Sequence, residues 1–344
     1  MKNIIVLLVF SIIVSCEKVI LGEEESNTPI NNFELLWQDF DAHCSLFVSK
    51  NIDWDASYNE FRLQVTNNIS NEELWQIFSK MLERFDDSHV NLYTENDAQI
   101  FTSGFTLNEQ SKSEYSKSLI SSKYLDFRVE VTSEDNLSYG KIKEKNIGYI
   151  YLGAEDGEDP EIIETILQEL STYDSIIFDI RQNIGGDESY TRRIASAFAD
   201  NENLVYTTQT RNGPSHDDFD EKTLFYSKII GTQYPNPVIL LTDRRTISAG
   251  ESLALYMKTY NKVTQIGDTT AGDFSTVSTR RFLPNGWSYK YPIQLPRTPT
   301  GEFLDGNGNI PDIYIKNTED DISNNIDKVL ERAILFLFEQ YNID

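Results

Sequence analysis

Ser248 stands where two hydrophobic patterns meet. Val238 to Leu241 is an apolar run of buried-strand length, and Leu253, Leu255, Tyr256 and Met257 supply the apolar face of a helical pattern. A serine at a strand-to-helix junction faces unpaired N–H groups and the positive end of a helix dipole. That is where an alkoxide or tetrahedral oxyanion is best held. The plainer reading of Ser248-Ala249-Gly250-Glu251 is an N-cap, with Glu251 closing a capping box. A base for such a serine would come from one of three histidines, His43, His89 and His216. His43 lies in a helical, aromatic-rich segment, and His216 in NGPSHDDFD, which reads as a solvent-exposed loop. His89, in FDDSHVNL, sits between a helix and an alternating strand, a loop-edge position suited to function. Gly185 and Gly186 close the apolar strand Ser175 to Ile180, where either N–H could face a developing oxyanion. The competing reading is a tight turn. The G-x-G-x-x-G spacing of a dinucleotide site is missing.

These residues need a scaffold, and the 344-residue chain can supply one. With 39% hydrophobic and 12% aromatic residues it can bury a sizeable core. A formal net charge of −25 repels phosphate backbones and argues against nucleic-acid partners. Lys2, the apolar run Ile4 to Val14 and Ser15-Cys16 read as a signal peptide over 1–16. Residues 17–32 are polar, acidic and aperiodic, as in a tether. Residues 33–90 carry apolar stripes at helical spacing, among them Phe33, Leu36, Trp37 and Phe40, and predict a small helical N-terminal domain. The 91–138 stretch, serine-rich with strand-like pieces, reads either as a β-subdomain or as a long surface excursion. Beyond it, Tyr139–Ile142 and Ile147–Leu152 read as a hairpin. Ile162–Leu170 and Ser175–Ile180 complete a strand, helix, strand unit, which implies a right-handed βαβ crossover and an α/β core over 139–344. Arg281–Ile293 reads as a hairpin about Pro-Asn-Gly, and Asp321–Tyr341 as a terminal amphipathic helix. Two cysteines give no disulfide framework, and no zinc-type cysteine cluster is present. No metal or organic cofactor is implied.

Several stretches together resemble the tail-specific (C-terminal processing) serine peptidases. They are Asp87-Ser88-His89, Asp179-x-Arg181-x-Asn183-x-Gly185-Gly186, Ser248-Ala249-Gly250-Glu251, Gly267-Asp268-Thr269-Thr270-Ala271-Gly272 and Gly308-Asn309-Ile310-Pro311-Asp312. The resemblance runs from about Gly140 to Ile315 and includes the histidine turn. It implies a crotonase/ClpP-like α/β catalytic core with the small helical N-terminal domain ahead of it. It carries Ser248 over as nucleophile, with Ala249 and Gly185 or Gly186 as oxyanion donors. Members with a serine–lysine dyad have a lysine where this chain has Asp273, and Lys258 and Lys262 do not match that motif. The histidine-base branch, which includes the tricorn core peptidase, fits instead. There Ser88-His89 supplies the base and Asp305 the late acidic member, with Glu302 as fallback. The absent G-x-S-x-G elbow argues against an α/β-hydrolase. No PDZ-type docking module is evident between 95 and 140. Val14-Ser15-Cys16 resembles a bacterial lipobox, which implies acylation of Cys16 and an exported protein whose membrane contact is that lipid anchor. The expected substrates are peptides or unfolded protein segments. A non-catalytic module binding hydrophobic ligands or peptides on the same fold is the alternative. An acyl-thioester enzyme is disfavoured by export and by the acidic surface.

Overall fold

The computed structural model describes residues 26–104, 111–131 and 136–344. The signal peptide and Cys16 lie outside the described residues. The first described helix, α1 (Pro29–His43), starts inside the stretch read as tether. Thr28 caps it and Pro29 fits its first turn, where a missing N–H costs nothing. Helices α2 (Trp54–Phe61) and α3 (Asn71–Leu82) follow, the latter opened by a Ser70–Glu73 capping box and burying Leu74, Trp75, Phe78 and Met81. These helices pack on an antiparallel sheet ordered β11-β12-β1-β2, built from β1 (Asn91–Tyr93), β2 (Ile100–Thr102), β11 (Arg281–Phe282) and β12 (Ser288–Lys290). Trp287, Tyr289 and Tyr291 of the late hairpin enter the same aromatic core as Phe40, Trp54 and Phe85.

The larger sheet carries the strands that reach the site. It comprises β3 (Leu125–Glu130), β4 (Leu137–Ile142), β5 (Ile147–Leu152), β6 (Ser175–Asp179), β9 (Val238–Thr242), β10 (Val263–Gly267) and β14 (Ile313–Tyr314), in the order β14-β10-β9-β6-β5-β4-β3. β5, β6, β9, β10 and β14 run parallel, and β3 and β4 are antiparallel additions. The expected β4–β5 hairpin and the crossover through α4 (Ile162–Glu169) are both present.

Both faces of the sheet's centre are covered, so β5, β6 and β9 are buried along their whole length. Val238 and Leu240 join one core with residues of α4, α5 (Glu188–Ser196) and α6 (Ala249–Lys258). Ile239 and Leu241 point the other way, to α7 (Lys328–Tyr341). A third sheet, β13-β7-β8, joins β7 (Leu204–Thr210), β8 (Thr223–Tyr226) and β13 (Gln294–Arg297) and stands beside the site.

The 91–138 stretch is divided between the sheets, giving β1 and β2 to the smaller one and edge strand β3 to the larger. The terminal helix is shorter than expected. Glu319–Ser323 forms a separate turn of helix, Asn325 takes φ 60°, and Asp327 caps α7 afresh. Asp327 is buried and pairs with Arg181 at 2.9 Å, and Arg181 also pairs with Asp179, which accepts from Tyr149 Oη. The conspicuous Asp-x-Arg of the strand end therefore locks α7 onto the sheet.

Candidate active site

β6, β9 and β10 are adjacent and parallel, so the loops leaving their carboxyl ends, 180–187, 243–248 and 268–273, emerge at one edge of the sheet. Open parallel sheets bind ligands at this edge. The loops are cross-tied: Gln182 N–H donates to Asp243 Oδ1, Ile247 N–H to Asn183 O and Ala271 N–H to Thr246 O.

Ser248 precedes the first residue of α6 with φ 55° and ψ −124°, and its side chain makes no capping bond. The N-cap reading therefore fails, and so does the capping box, because Glu251 turns elsewhere. Its buried carboxylate accepts from Thr270 Oγ1 (2.5 Å), Gly272 N (2.9 Å) and Asp273 N (2.8 Å). Burial pushes this carboxyl up to about 8, against three donors that favour the anion. A non-glycine residue in this conformation carries strain of about 1–3 kcal/mol, which persists only when its surroundings over-determine it. Here Ser248 N–H donates to Asp273 O at 2.9 Å, and Ile247 is tied to Asn183.

The glycine pair lies against this serine. A Cβ on Gly185 would stand 2.5 Å from Ser248 Cβ and 3.0 Å from Ala249 N, so only glycine allows the approach. Gly250 likewise admits Asn183, whose Oδ1 would be 2.5 Å from an added Cβ. The two strand-end glycines differ in what their N–H groups do. Gly185 N–H is taken by Asn183 Oδ1 at 2.8 Å. Gly186 and Ala249 line one cleft with Ser248, and their N–H groups have no protein acceptor among the described residues. The cleft is walled by residues that include Tyr206, Phe225 and Phe274.

His89 arrives from the helical unit, and Asp273 links its turn to the serine. The Asp273 carbonyl accepts from Ser248 N, and its Oδ2 accepts from Ser88 N at 2.9 Å. His89 Nδ1 lies 3.4 Å from Asp87 Oδ1, which also accepts from His89 N at 2.9 Å. The Ser248 hydroxyl makes no hydrogen bond to His89; such contacts often close only on substrate binding. Ser88 Oγ, His89 Nδ1 and Asp87 Oδ2 are buried polar atoms without hydrogen-bond partners among the described residues, a concentration typical of functional sites. Burial opposes the imidazolium, but Asp87, with Asp273 and Asp305 behind it, outweighs burial and holds the His89 pKa above its ordinary value.

Two groups at this cluster escaped the sequence reading. Lys50 Nζ lies 3.6 Å from Asp87 Oδ2 and 3.7 Å from Asp273 Oδ1, and donates to Asp86 O at 2.6 Å. Asp273, noted in the sequence only as the place where a lysine is missing, is the bridge itself. Neither had a local signal: Lys50 ends a short helical turn, and its partners lie far along the chain. Asp305 is fully buried. Its Oδ1 accepts from Phe274 N (2.9 Å) and Ser275 N (3.0 Å), and Ser275 Oγ donates to Oδ2. It thus shapes the cleft wall and acts on His89 through its charge, while burial and Asp87 push its pKa up to about 7. Glu302 sits exposed in the 298–302 turn. Lys258 and Lys262 donate to Ile310 O and Tyr234 O. His43 pairs with Asp39. His216 lies in a loop that is largely exposed, as expected, while its half-buried ring stacks on Phe47 at 4.0 Å and bonds Asp41 at 2.8 Å.

Comparisons with known proteins find similarity to peptidases. The model of peptidase family S41 matches residues 146–315. The carboxy-terminal processing protease CtpB of Bacillus subtilis (strain 168) is 27% identical over 203 residues, 57% of this chain and 40% of that protein. A carboxyl-terminal-processing protease of Picosynechococcus is 28% identical over 182 residues, 52% of this chain and 42% of that protein. The chain thus spans about two fifths of the length of these relatives. Among solved structures, a candidate peptidase from Parabacteroides merdae aligns with a TM-score of 0.80 at 28% identity, over 91% of this chain and 97% of that one. Mature CPAF complexed with lactacystin (TM-score 0.67, 10% identity, 91% and 98% coverage) and the tricorn protease (0.52, 15%, 91% and 37%) share the fold. The expected fold class, an α/β catalytic core with a helical N-terminal region, is the one observed.

Two outcomes follow from this geometry. Ser248→Gly relieves the positive φ and should raise stability by about 1 kcal/mol in urea unfolding. For His89 to serve as a base it must be neutral, and in that role kcat/KM should fall as pH drops through a value above the ordinary imidazole pKa. Asp87→Asn removes the charge that raises this pKa and should move the acid limb to lower pH. Lys50→Met removes a compensating cation and should move it to higher pH. Measured pH–rate profiles whose acid limbs move the same way in the two variants would contradict this assignment.

Proposed function

We propose that this chain, which the family model and the curated relatives tie to peptidase family S41, is a serine endopeptidase acting on peptides or unfolded protein segments. The single observation that carries the reading is the strained Ser248 facing two N–H donors in one cleft, with a histidine turn fixed to it through Asp273. Ser248 Oγ attacks the scissile carbonyl, and His89 accepts its proton and returns it to the leaving amine. Gly186 N–H and Ala249 N–H receive the oxyanion; Gly185 gives the turn its shape, its own N–H being engaged. Asp87 orients and polarises the imidazole in the manner of a triad acid. Asp305, the late acid of the resemblance, adds its charge to the cluster and holds Phe274 and Ser275 in the cleft wall. Ser88 presents its N–H to Asp273 and leaves its hydroxyl for the histidine side of the reaction.

The non-catalytic alternative gains nothing from these features, since a binder has no use for a strained serine beside free oxyanion donors. A fluorophosphonate probe separates the two. One adduct mapped to Ser248 by intact-mass and peptide mass spectrometry, lost in Ser248→Ala and His89→Ala, is the expected result. Wild-type-like peptide hydrolysis by either variant would remove the assignment.

The N-terminal pattern supports an exported protein tethered through acylated Cys16. Metabolic labelling with a radioactive fatty acid should mark the full chain, and Cys16→Ser should abolish the label. Among the described residues no helix is long and apolar enough to cross a membrane.

A further inference from the structure

The cleft beside Ser248 does not end at the oxyanion donors. It continues along α6, where Ser252 lies one turn beyond Ala249, and reaches Glu188 at the start of α5. An acidic residue in a first helical turn is ordinarily a solvated partner of the helix dipole. Glu188 instead faces into the cleft beneath aromatic walls. Tyr206 and Phe225 stack at 4.3 Å between ring centroids, and Phe274 meets Tyr206 edge-on at 5.0 Å. Tyr206 Oη donates to Glu188 Oε1 at 2.7 Å. Glu188 has no ion-pair partner within 4 Å among the described residues, and Arg192, four positions on, acts on it only at longer range. Burial raises its pKa, with Tyr206, Ser252 and Tyr256 hydroxyls nearby favouring the anion. Tyr256 Oη is itself buried without a hydrogen-bond partner among the described residues.

We infer that this extension is the pocket for the side chain preceding the scissile bond, and that Glu188 selects a lysine there. The inference rests on the serine-peptidase reading. An ammonium group has three donors and no acceptor. The pocket floor offers it the Glu188 carboxylate and the Ser252 hydroxyl oxygen. Phe225, Phe274 and Tyr206 accept the aliphatic stem, and the ring faces favour the cation. A neutral side chain of the same length would leave the carboxylate desolvated with no counter-charge, a strong form of rejection. The net charge of −25 adds a general attraction for cationic peptides.

The test uses two fluorogenic peptides that differ only at that position, lysine against norleucine. Turnover is followed with the wild-type protein and Glu188→Gln, and binding is measured by anisotropy in the Ser248→Ala background. The wild type should favour lysine by more than tenfold in kcat/KM, and Glu188→Gln should reduce that ratio at least tenfold. Turnover of both peptides with a ratio insensitive to Glu188 overturns this inference and leaves the peptidase reading standing. No turnover of either peptide, but lysine-selective binding lost in Glu188→Gln, overturns the peptidase reading and keeps the pocket. Neither turnover nor Glu188-dependent binding overturns both.

Discussion

The buried carboxylate of Glu251 is the fixed point from which the site is built. By accepting from Thr270, Gly272 and Asp273 it holds a loop that would otherwise have no regular structure. Asp273, so held, gives its carbonyl to Ser248 N and its carboxylate to Ser88 N. One residue thus sets the distance between a strained serine on the α/β core and a histidine turn on the helical unit. Asn309 reinforces the arrangement, donating from Nδ2 to Glu251 O and from its main chain to Thr270 Oγ1. The Gly-Asn-Ile-Pro-Asp stretch is therefore a brace behind the site, and Asp312 continues it by pairing with the main chain of Gln265.

The same division of labour runs through the strand-end element after β6. Asp179 and Arg181 face the α7 side and fasten that helix through Asp327. Asn183 faces the site, where it spends both ends of its amide on Gly185 N, Leu152 O and Glu155 Oε1. Gly186 is left with a free N–H beside Ser248. A single short motif therefore combines a structural ion pair, a clamp and an unengaged N–H, because the chain leaves the strand after Asp179 and turns, with Gln182 at φ 64°, before it reaches Asn183.

Electrostatically the site concentrates three buried aspartates, Asp87, Asp273 and Asp305, around one lysine and one histidine. Such a set is tolerable only if the charges compensate one another, since an unpaired buried carboxylate is costly. Lys50 supplies one counter-charge, and the remaining acidity is relieved by proton uptake. Asp305 is accordingly pushed up to about 7 and His89 held above its ordinary value. The arrangement places the protonation of His89 under the control of residues from both structural units.

Read alone, the sequence determined the layout of local elements. The apolar runs of β5, β6, β9 and β10, the α3 and α6 periodicities and the Pro-Asn-Gly hairpin were all legible, because strand and helix periods are set by neighbours a few residues apart. It also singled out Ser248, His89 and the glycine pair, by residue type at element boundaries. It misjudged Ser248 and Glu251 as an alternative capping pair, and it ran the last helix through Asn324 and Asn325. Only the tertiary structure decided which glycine keeps a free N–H and that Asp87 is the carboxylate on the imidazole. The same holds for Lys50 and Asp273 as the link between the two halves. Ser88 and Asp273 are 185 positions apart. No local pattern encodes such a contact, because it exists only once strand order has brought three loops to one edge and the helical unit has docked beside them.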